Sequence, residues 1–163
     1  MNQNNMTYRL YEGEFLTLAP DLDQTVNILM FRDPEEKEYS VMINRAFLEQ
    51  DQSLMQFCES EIGKMRNTLS AFQEEGKRLQ HQIGPFRLPV IQVANRYLHQ
   101  GKMTRQVQSI IQLPRHEISN PLNNRIIIFT LSTVNDFTEH QRRHYVKIIN
   151  SFTPDTTPLN IKS

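Results

Sequence analysis

Hydrophobic and polar positions alternate with a period of two between Asp23 and Arg45, which is typical of β-strands. Two such runs are separated by the charged segment Asp33 to Lys37, in which a proline follows an aspartate. This composition favours an exposed turn. The stretch is therefore predicted to be a β-hairpin, and the rest of the chain is interpreted around it.

The two faces of this predicted hairpin have different compositions, because strand side chains alternate between faces. One face of its second strand is suited to a hydrophobic core and carries Tyr39, Val41 and Ile43. The opposite face is mixed and carries Ser40, Met42 and Asn44. On the first strand an apolar set shares one face: Val26, Ile28 and Met30. Neither face is an ordinary charged surface, so the sheet is predicted to be covered on both sides or open to a ligand.

Two stretches have the 3.6-residue period of amphipathic helices. The first is predicted to begin after Ser53, which forms a capping-box sequence with Gln56, and its apolar stripe is predicted to continue to Phe72. Glu61 interrupts that stripe. Two interpretations stay open for it: a carboxylate that reaches water at the rim, or a polar group within a binding surface.

The second helix is predicted between a capping box at Thr138 and Gln141 and its end near Phe152. The remaining β-type runs predict one strand from Tyr8 to Leu18, a short strand before Gly84, a long hairpin and a final strand. The long hairpin spans 89–98 and 103–113, and the final strand spans 125–133.

Glutamines mark one face of the second strand of the long hairpin: Gln106, Gln108 and Gln112. A glutamine amide both donates and accepts hydrogen bonds without carrying a charge. This row is interpreted either as the solvated face of an exposed strand or as a recognition surface.

Composition limits the classes of function. The 163 residues include 18 basic and 18 acidic side chains, so zero formal charge gives no global attraction to nucleic acid or to an anionic membrane. The single cysteine, Cys58, cannot form an internal disulfide, and the first ten residues lack the pattern of a secretory signal. The longest apolar run, 126–129, is far too short to span a bilayer. We expect a cytoplasmic protein with one domain over 1–152 and a mobile C-terminal tail over 153–163.

Catalytic chemistry is not indicated. His140 and His144 are four residues apart, but two arginines lie between them without the glutamate of a zinc-protease helix, so chance spacing on an exposed face is expected. Cys58 falls inside an apolar stripe, where a thiol is usually unreactive. The sequence has no glycine-rich phosphate loop and no nucleophile-elbow motif. We expect no enzyme activity, no metal and no cofactor.

Short motifs in a fixed order carry a family resemblance over nearly the whole chain. They are Tyr8-Arg9-Leu10 with Glu12, then DQTVNI at 23–28, SVMINR at 40–45, Leu69 with Phe72, RQV at 105–107, and the strand at 130–133. This set resembles the DcrB-related family and, within it, the Eag chaperones of bacterial type VI secretion. The resemblance implies a PsbP-like α+β fold, in which two helices back a curved antiparallel sheet of about six or seven strands.

The resemblance also implies a function. Eag chaperones act as dimers whose concave faces hold the hydrophobic N-terminal helices of a secreted effector, often an Rhs toxin, next to its PAAR region. The expected partners are therefore that transmembrane region, the secretion spike protein on which the effector is loaded, and a second copy of the chain, with no nucleic acid and no membrane insertion.

Nine residues are assigned to the helix-binding site by the resemblance: Val26, Ile28, Ser40, Met42, Asn44, Glu61, Met65, Leu69 and Gln106. The chain departs from the family pattern at Asn44, where a serine is usual, at Glu61, where a glutamine is usual, and at Leu22, near the position of a tryptophan.

Two other classes of function use the same predicted elements. A small-molecule or lipid carrier would bind its ligand on the same sheet face but needs a closed pocket. A structural adaptor would bind a folded partner through its helices and would tolerate charge on the sheet face.

Overall fold

The computed structural model describes residues 5–21 and 23–155, and Leu22 and residues 156–163 of the predicted tail lie outside the described residues. The predicted α+β class and antiparallel sheet are confirmed. Its elements are β1 (Asn5–Leu10), β2 (Gly13–Leu18), β3 (Asn27–Arg32), β4 (Glu38–Phe47), α1 (Leu54–Thr68), β5 (Ser70–Glu74), β6 (Leu79–Ile83), β7 (Leu88–His99), β8 (Lys102–Gln112), β9 (Arg125–Val134) and α2 (Glu139–Ser151).

Seven strands form one antiparallel sheet in the order β3-β4-β9-β8-β7-β5, and β6 pairs beside β5 along the same edge of β7. The predicted hairpins β3–β4 and β7–β8 are confirmed. Strand β9 separates them by pairing with β4 on one side and with β8 on the other. The glutamine-bearing strand β8 is therefore an interior strand.

The two helices lie on opposite faces of the sheet. On β9, Phe129 and Leu131 pack in the core with Tyr145 and Ile149 of α2, and this side is called the α2 face. The alternate residues Ile126 and Ile128 of β9 pack in a second core with α1, and this side is called the α1 face. The period-two alternation of the sequence therefore sorts the strand side chains between two cores.

Both predicted capping boxes are present. Ser53 accepts a hydrogen bond from the backbone N–H of Gln56 at 3.1 Å, and Thr138 accepts one from Gln141 at 3.2 Å. In each case the glutamine side chain accepts the backbone N–H of the cap in return. Four backbone donors that a helix start would leave unpaired are satisfied in this way.

The predicted end of the first helix at Phe72 is wrong. Helix α1 ends at Thr68, Leu69 has extended backbone angles of φ −100° and ψ 134°, and Phe72 belongs to β5. Pairing with the free edge of β7 overrides the helical period here, because it supplies backbone partners from Ser70 onward. A register shift between Ser70 and Gln73, with Ala71 at φ 54°, absorbs the change of direction.

The predicted single strand from Tyr8 to Leu18 is also wrong. It is a hairpin, β1–β2, in which Leu10 pairs with Gly13 across a turn at Tyr11 and Glu12. This two-stranded sheet is separate from the main sheet. Apolar and polar residues nearly alternate through the turn, as they do in the two strands. The sequence pattern therefore did not show where the chain reverses direction.

Cys58 is buried within the α1 core, as predicted, and burial raises the pKa of its thiol to about 11. The thiolate is therefore scarce at neutral pH, which makes the thiol a packing group. Among the described residues, neither helix has the length and apolar character needed to span a bilayer.

Truncating a side chain in the α2 core should destabilise the fold, whereas truncating one on the open edge should not. Leu131 is 1% exposed and Met30 is 63% exposed. Leu131→Ala is expected to lower the free energy of unfolding by about 2 to 5 kcal/mol. Met30→Ala should change it by less than about 0.5 kcal/mol. Urea unfolding followed by circular dichroism measures both, and equal losses would contradict the assignment of faces.

Candidate functional site

Helix α1 covers only part of its face of the sheet. It contacts β5, β7 and β8, and its buried side chains meet the first half of β9 through Ile126 and Ile128. Ile28 and Met30 on β3 are each 63% exposed, although they lie on the same face. The part of the α1 face that runs from β3 to β8 beyond α1 is called the groove.

Strand register arranges the groove floor in transverse rows. In one row Ile28 lies opposite Met42 on β4, which lies opposite Thr130 on β9, which lies opposite Gln108 on β8. The row therefore passes from aliphatic at the sheet edge to hydrogen-bonding in the sheet interior.

The next row repeats this gradient. Met30 lies opposite Ser40, followed by Ser132, Gln106 and Asn95 on successive strands. None of these side chains is charged. Four strands at about 4.8 Å spacing give the floor a breadth of about 14 Å, comparable with one α-helix of about 10 Å diameter.

Asn44 borders the covered part of the face. It lies opposite Ile128, which packs in the core under α1, and the Asn44 side chain is half-buried. The serine expected from the family at this position is thus replaced by an amide with two donors and an acceptor.

One flank of α1 is tied to the β5 and β6 side of the sheet. Arg78 forms a bidentate ion pair with Glu74 at 2.9 and 3.2 Å and reaches Glu59 of α1 at 3.6 Å. Arg66 of α1 also approaches Glu74 at 3.6 Å. The hydrogen bonds from Arg78 hold the pKa of Glu74 below its usual range.

The opposite flank of α1 carries Glu61, because a separation of two residues from Glu59 is more than half a helical turn. Glu61 is 34% exposed in its side chain and pairs with Lys64 at 3.3 Å. Met65, one turn further, is half-buried at the border of the α1 core. Glu61 and Met65 therefore lie on the side of α1 that faces away from β5 and β6.

The structure brings most of the nine predicted site residues to one face. Ile28, Ser40, Met42, Asn44 and Gln106 share the α1 face through the register. Val26 precedes β3 and is half-exposed.

Leu69 lies at the opposite side of the sheet from Val26. It caps α1 and leads directly into β5, at the far side of the sheet from β3. A single bound helix about 10 Å wide would not contact both residues if it lay along the strands.

The interpretation of the glutamines as a solvated face on an exposed strand is wrong. Gln106 and Gln108 are half-buried on the interior strand β8, because β7 and β9 flank it. Gln106 Nε2 donates to the Tyr97 hydroxyl at 3.4 Å, and Gln108 Nε2 donates to Thr130 Oγ1 at 3.5 Å.

Some hydrogen-bonding capacity in the groove floor is unused within the described chain. Gln106 Oε1 is buried without a partner, as are both polar side-chain atoms of Asn95, which is fully buried. Buried polar atoms are normally paired.

The prediction that His140 and His144 lie on an exposed face is wrong for His144. His144 is half-buried rather than exposed: its Nδ1 lies 2.8 Å from the Tyr39 hydroxyl, and its ring packs edge-on against Phe31. In the described part of the chain, no group of three His, Cys, Asp or Glu side chains has an arrangement that could hold a metal ion.

Sequence reasoning omitted four groove residues. Met30 and Gln108 share faces with predicted site residues, and the alternation in RIIIFTLST places Thr130 and Ser132 on the face opposite Leu131. The missing information was the pairing of β9 with both β4 and β8, which puts these hydroxyls between Met42 and Gln108 and between Ser40 and Gln106.

These features define a class of protein: an α+β domain in which a seven-stranded antiparallel sheet presents an uncharged, partly apolar face beside one helix. The chain belongs to the DcrB family, whose model matches residues 12–151.

Two solved structures share the fold. PA94 from Pseudomonas aeruginosa, a protein described as being of unknown function, aligns with a TM-score of 0.69 and 19% identity over 94% of this chain and 99% of its own. LpqN of Mycobacterium tuberculosis, described as involved in cell envelope biogenesis, aligns with a TM-score of 0.50 and 12% identity over 82% of this chain and 87% of its own. No curated protein matches the sequence.

Proposed function

We propose that the chain is a chaperone that binds and shields the hydrophobic N-terminal helices of a type VI secretion effector of the Rhs or PAAR type and helps to load it on the secretion spike. One observation carries this proposal. The groove combines exposed aliphatic side chains at Ile28 and Met30 with uncharged hydrogen-bonding groups at Ser40, Ser132 and Gln106.

Such a surface matches the needs of a transmembrane helix held in water. The helix must lose the water contact of its apolar side chains, and its polar groups must find the partners that neighbouring helices supply in a membrane. Burial of about 1,000 Å² of apolar surface corresponds to a transfer free energy of about 25 kcal/mol. The entropy lost when the helix and the side chains become ordered cancels most of it, so the binding free energy is much smaller. The half-buried hydroxyl groups of Ser40 and Ser132 offer partners without the desolvation cost of a charge.

The open shape supports a helix as ligand over a small molecule. Ile28 and Met30 are each 63% exposed, so this part of the sheet face is open to solvent, whereas small-molecule sites enclose most of the ligand surface. The uncharged floor and zero formal charge of the chain also argue against nucleic acid. In this proposal the chain acts in the cytoplasm, without a cofactor and without catalysis.

The finer assignment to type VI secretion has its own test. It rests on the motif resemblance, and it requires that a gene for a PAAR-containing or Rhs effector lie next to the gene for this chain. Co-expression with the N-terminal region of that effector should then yield a soluble complex. A neighbourhood without secretion genes would leave the groove as an apolar-helix site but remove the effector from the proposal.

A carboxylate in the groove should abolish binding of an apolar helix. The probe is a synthetic peptide of about 20 residues, mainly leucine and alanine with a central glutamine and terminal lysines. Ile28→Asp is expected to weaken its binding about a hundredfold, since an unpaired buried carboxylate costs about 3 kcal/mol or more. Fluorescence anisotropy of the labelled peptide measures the affinity.

The matched control is Leu122→Asp, which makes the same kind of change at an exposed loop position. It should leave the peptide affinity unchanged. Circular dichroism should show that both variants remain folded, because both side chains are exposed. Equal affinities for Ile28→Asp and the unmodified chain would overturn the proposed site.

Glu61 and Lys64 should affect helix binding with opposite signs. A docked apolar helix would remove water from the Glu61 carboxylate, so Glu61→Gln is expected to tighten peptide binding about tenfold. Lys64→Gln removes the cation 3.3 Å away and is expected to weaken binding by a similar factor, since the carboxylate then loses its partner. Calorimetry at neutral pH compares the two variants. Unchanged affinity in both would place the pair outside the binding surface.

We expect the chain to be a homodimer in solution. A floor about 14 Å broad accommodates one helix, so a cargo with two hydrophobic helices needs two grooves. The zero formal charge adds no net repulsion between copies. Sedimentation equilibrium should give twice the 19.2 kDa of one chain at micromolar concentration. A single-chain mass, with and without peptide, would contradict a dimer.

A further inference from the structure

A second cleft lies on the α2 face, on the other side of the sheet from the groove. It has a volume of about 530 Å³ and is bounded by the end of β3, the start of β4 and one side of α2. Its walls carry five basic or imidazole side chains and two aromatic rings, and no carboxylate. A wall of this composition favours an anion.

Four of the five nitrogen-bearing side chains form one stripe on α2: His140, Arg143, His144 and Lys147. Their spacing of three and four residues places them on the same side of the helix. Arg32, at the end of β3, borders the cleft at its rim, and its position alternates with Phe31 onto the other face of the sheet. The cationic groups of the cleft therefore come mainly from α2.

The ion pairs that Arg32 and Arg143 already form compete only weakly with an anionic ligand. Arg143 contacts Glu139 at 3.0 Å, but the two side chains are 79% and 69% exposed. Arg32 lies 4.0 Å from Glu36, and this pair is also exposed. Exposed pairs of this kind contribute little free energy, so they can exchange for an anion that several donors share.

An aromatic and imidazole pair forms the back of the cleft. The Tyr39 hydroxyl lies 2.8 Å from Nδ1 of His144, and the Tyr39 residue is 3% exposed. Burial raises the pKa of Tyr39, so the phenol keeps its proton. Burial, with His140 and Lys147 nearby, lowers the pKa of His144, so its ring is neutral at pH 7. When the phenol donates to Nδ1, the ring proton is on Nε2, which is then a free donor.

The carboxylate behind Tyr39 is already saturated. Asp33 is 4% exposed and accepts hydrogen bonds from the backbone N–H groups of Glu35 and Lys37 and from the Thr138 hydroxyl. It therefore stabilises the hairpin turn and the start of α2 rather than the cationic side chains of the cleft.

We propose that this cleft binds a phosphate monoester. Its guanidinium and ammonium groups, together with the His144 N–H, provide more donors than a carboxylate with two oxygens can use, whereas a dianionic phosphate presents three oxygens. Phe31, which stacks on Tyr39 with a centroid distance of 5.4 Å, gives the organic part of the ester an apolar wall.

The test uses phenyl phosphate, inorganic phosphate and benzoate as probes at one fixed ionic strength, with affinities from calorimetry. Phenyl phosphate is expected to bind more tightly than either of the others. Benzoate binding as tightly as phenyl phosphate would overturn the preference for phosphate. Inorganic phosphate binding as tightly would overturn the assignment to a monoester.

Two adjacent arginines of α2 provide matched variants. Arg143→Gln should weaken phenyl phosphate binding about tenfold, since it removes a charge-assisted hydrogen bond. Arg142→Gln makes the same charge change outside the cleft lining and should alter the affinity by less than about twofold. Both side chains are exposed, so both variants should remain folded by circular dichroism. Equal losses in the two variants would reduce the binding to general electrostatics and overturn the site.

Discussion

The pairing of β4 with β9 is the constraint on which the rest of the structure depends. Its register is continuous from Tyr39 opposite Thr133 to Phe47 opposite Arg125. Because side chains alternate, this register sends Val41 and Leu131 to the α2 core and Met42 and Ser132 to the groove. A slip of one residue would exchange the two sets, placing Leu131 in the groove and Ser132 in the α2 core. Both cores and the groove are thus fixed by one strand pair.

The groove stays open because α1 is held on the other side of its face. Arg78 joins Glu74 of β5 to Glu59 of α1, and the bidentate geometry gives this link a definite orientation. Burial of Cys58 and Ile62 then fixes the rotation of the helix against the sheet. An amphipathic helix free to choose its position would cover the exposed aliphatic residues of β3, and the direct connection of α1 to β5, with its buried side chains, opposes that movement.

Local signals in the sequence were sufficient where the determining interactions were local. The two capping boxes, the turn at Asp33 and the long hairpin depend on residues a few positions apart, and all were predicted. The helix end at Thr68 depends on the free edge of β7, which is distant in sequence, and it was missed. The groove was half predictable for the same reason. Alternation placed Ile28 and Met42 on strand faces without charge, and the family resemblance assigned them to the site, whereas Ser132 joins the site only through the strand order.

Strand β3 ends the sheet and carries the most exposed aliphatic side chains of the groove. Within residues 5–21 and 23–155 no strand pairs with its outer edge, which therefore offers backbone groups beside apolar side chains, a combination that templates pairing with other chains. Nothing in its central residues, Ile28 to Phe31, supplies the charge or proline that usually protects such an edge. The exposed aliphatic side chains of this strand are therefore a liability for colloidal stability. It follows that the solubility of the isolated chain depends on this one strand, and that covering it would raise the protein concentration at which the chain stays monodisperse.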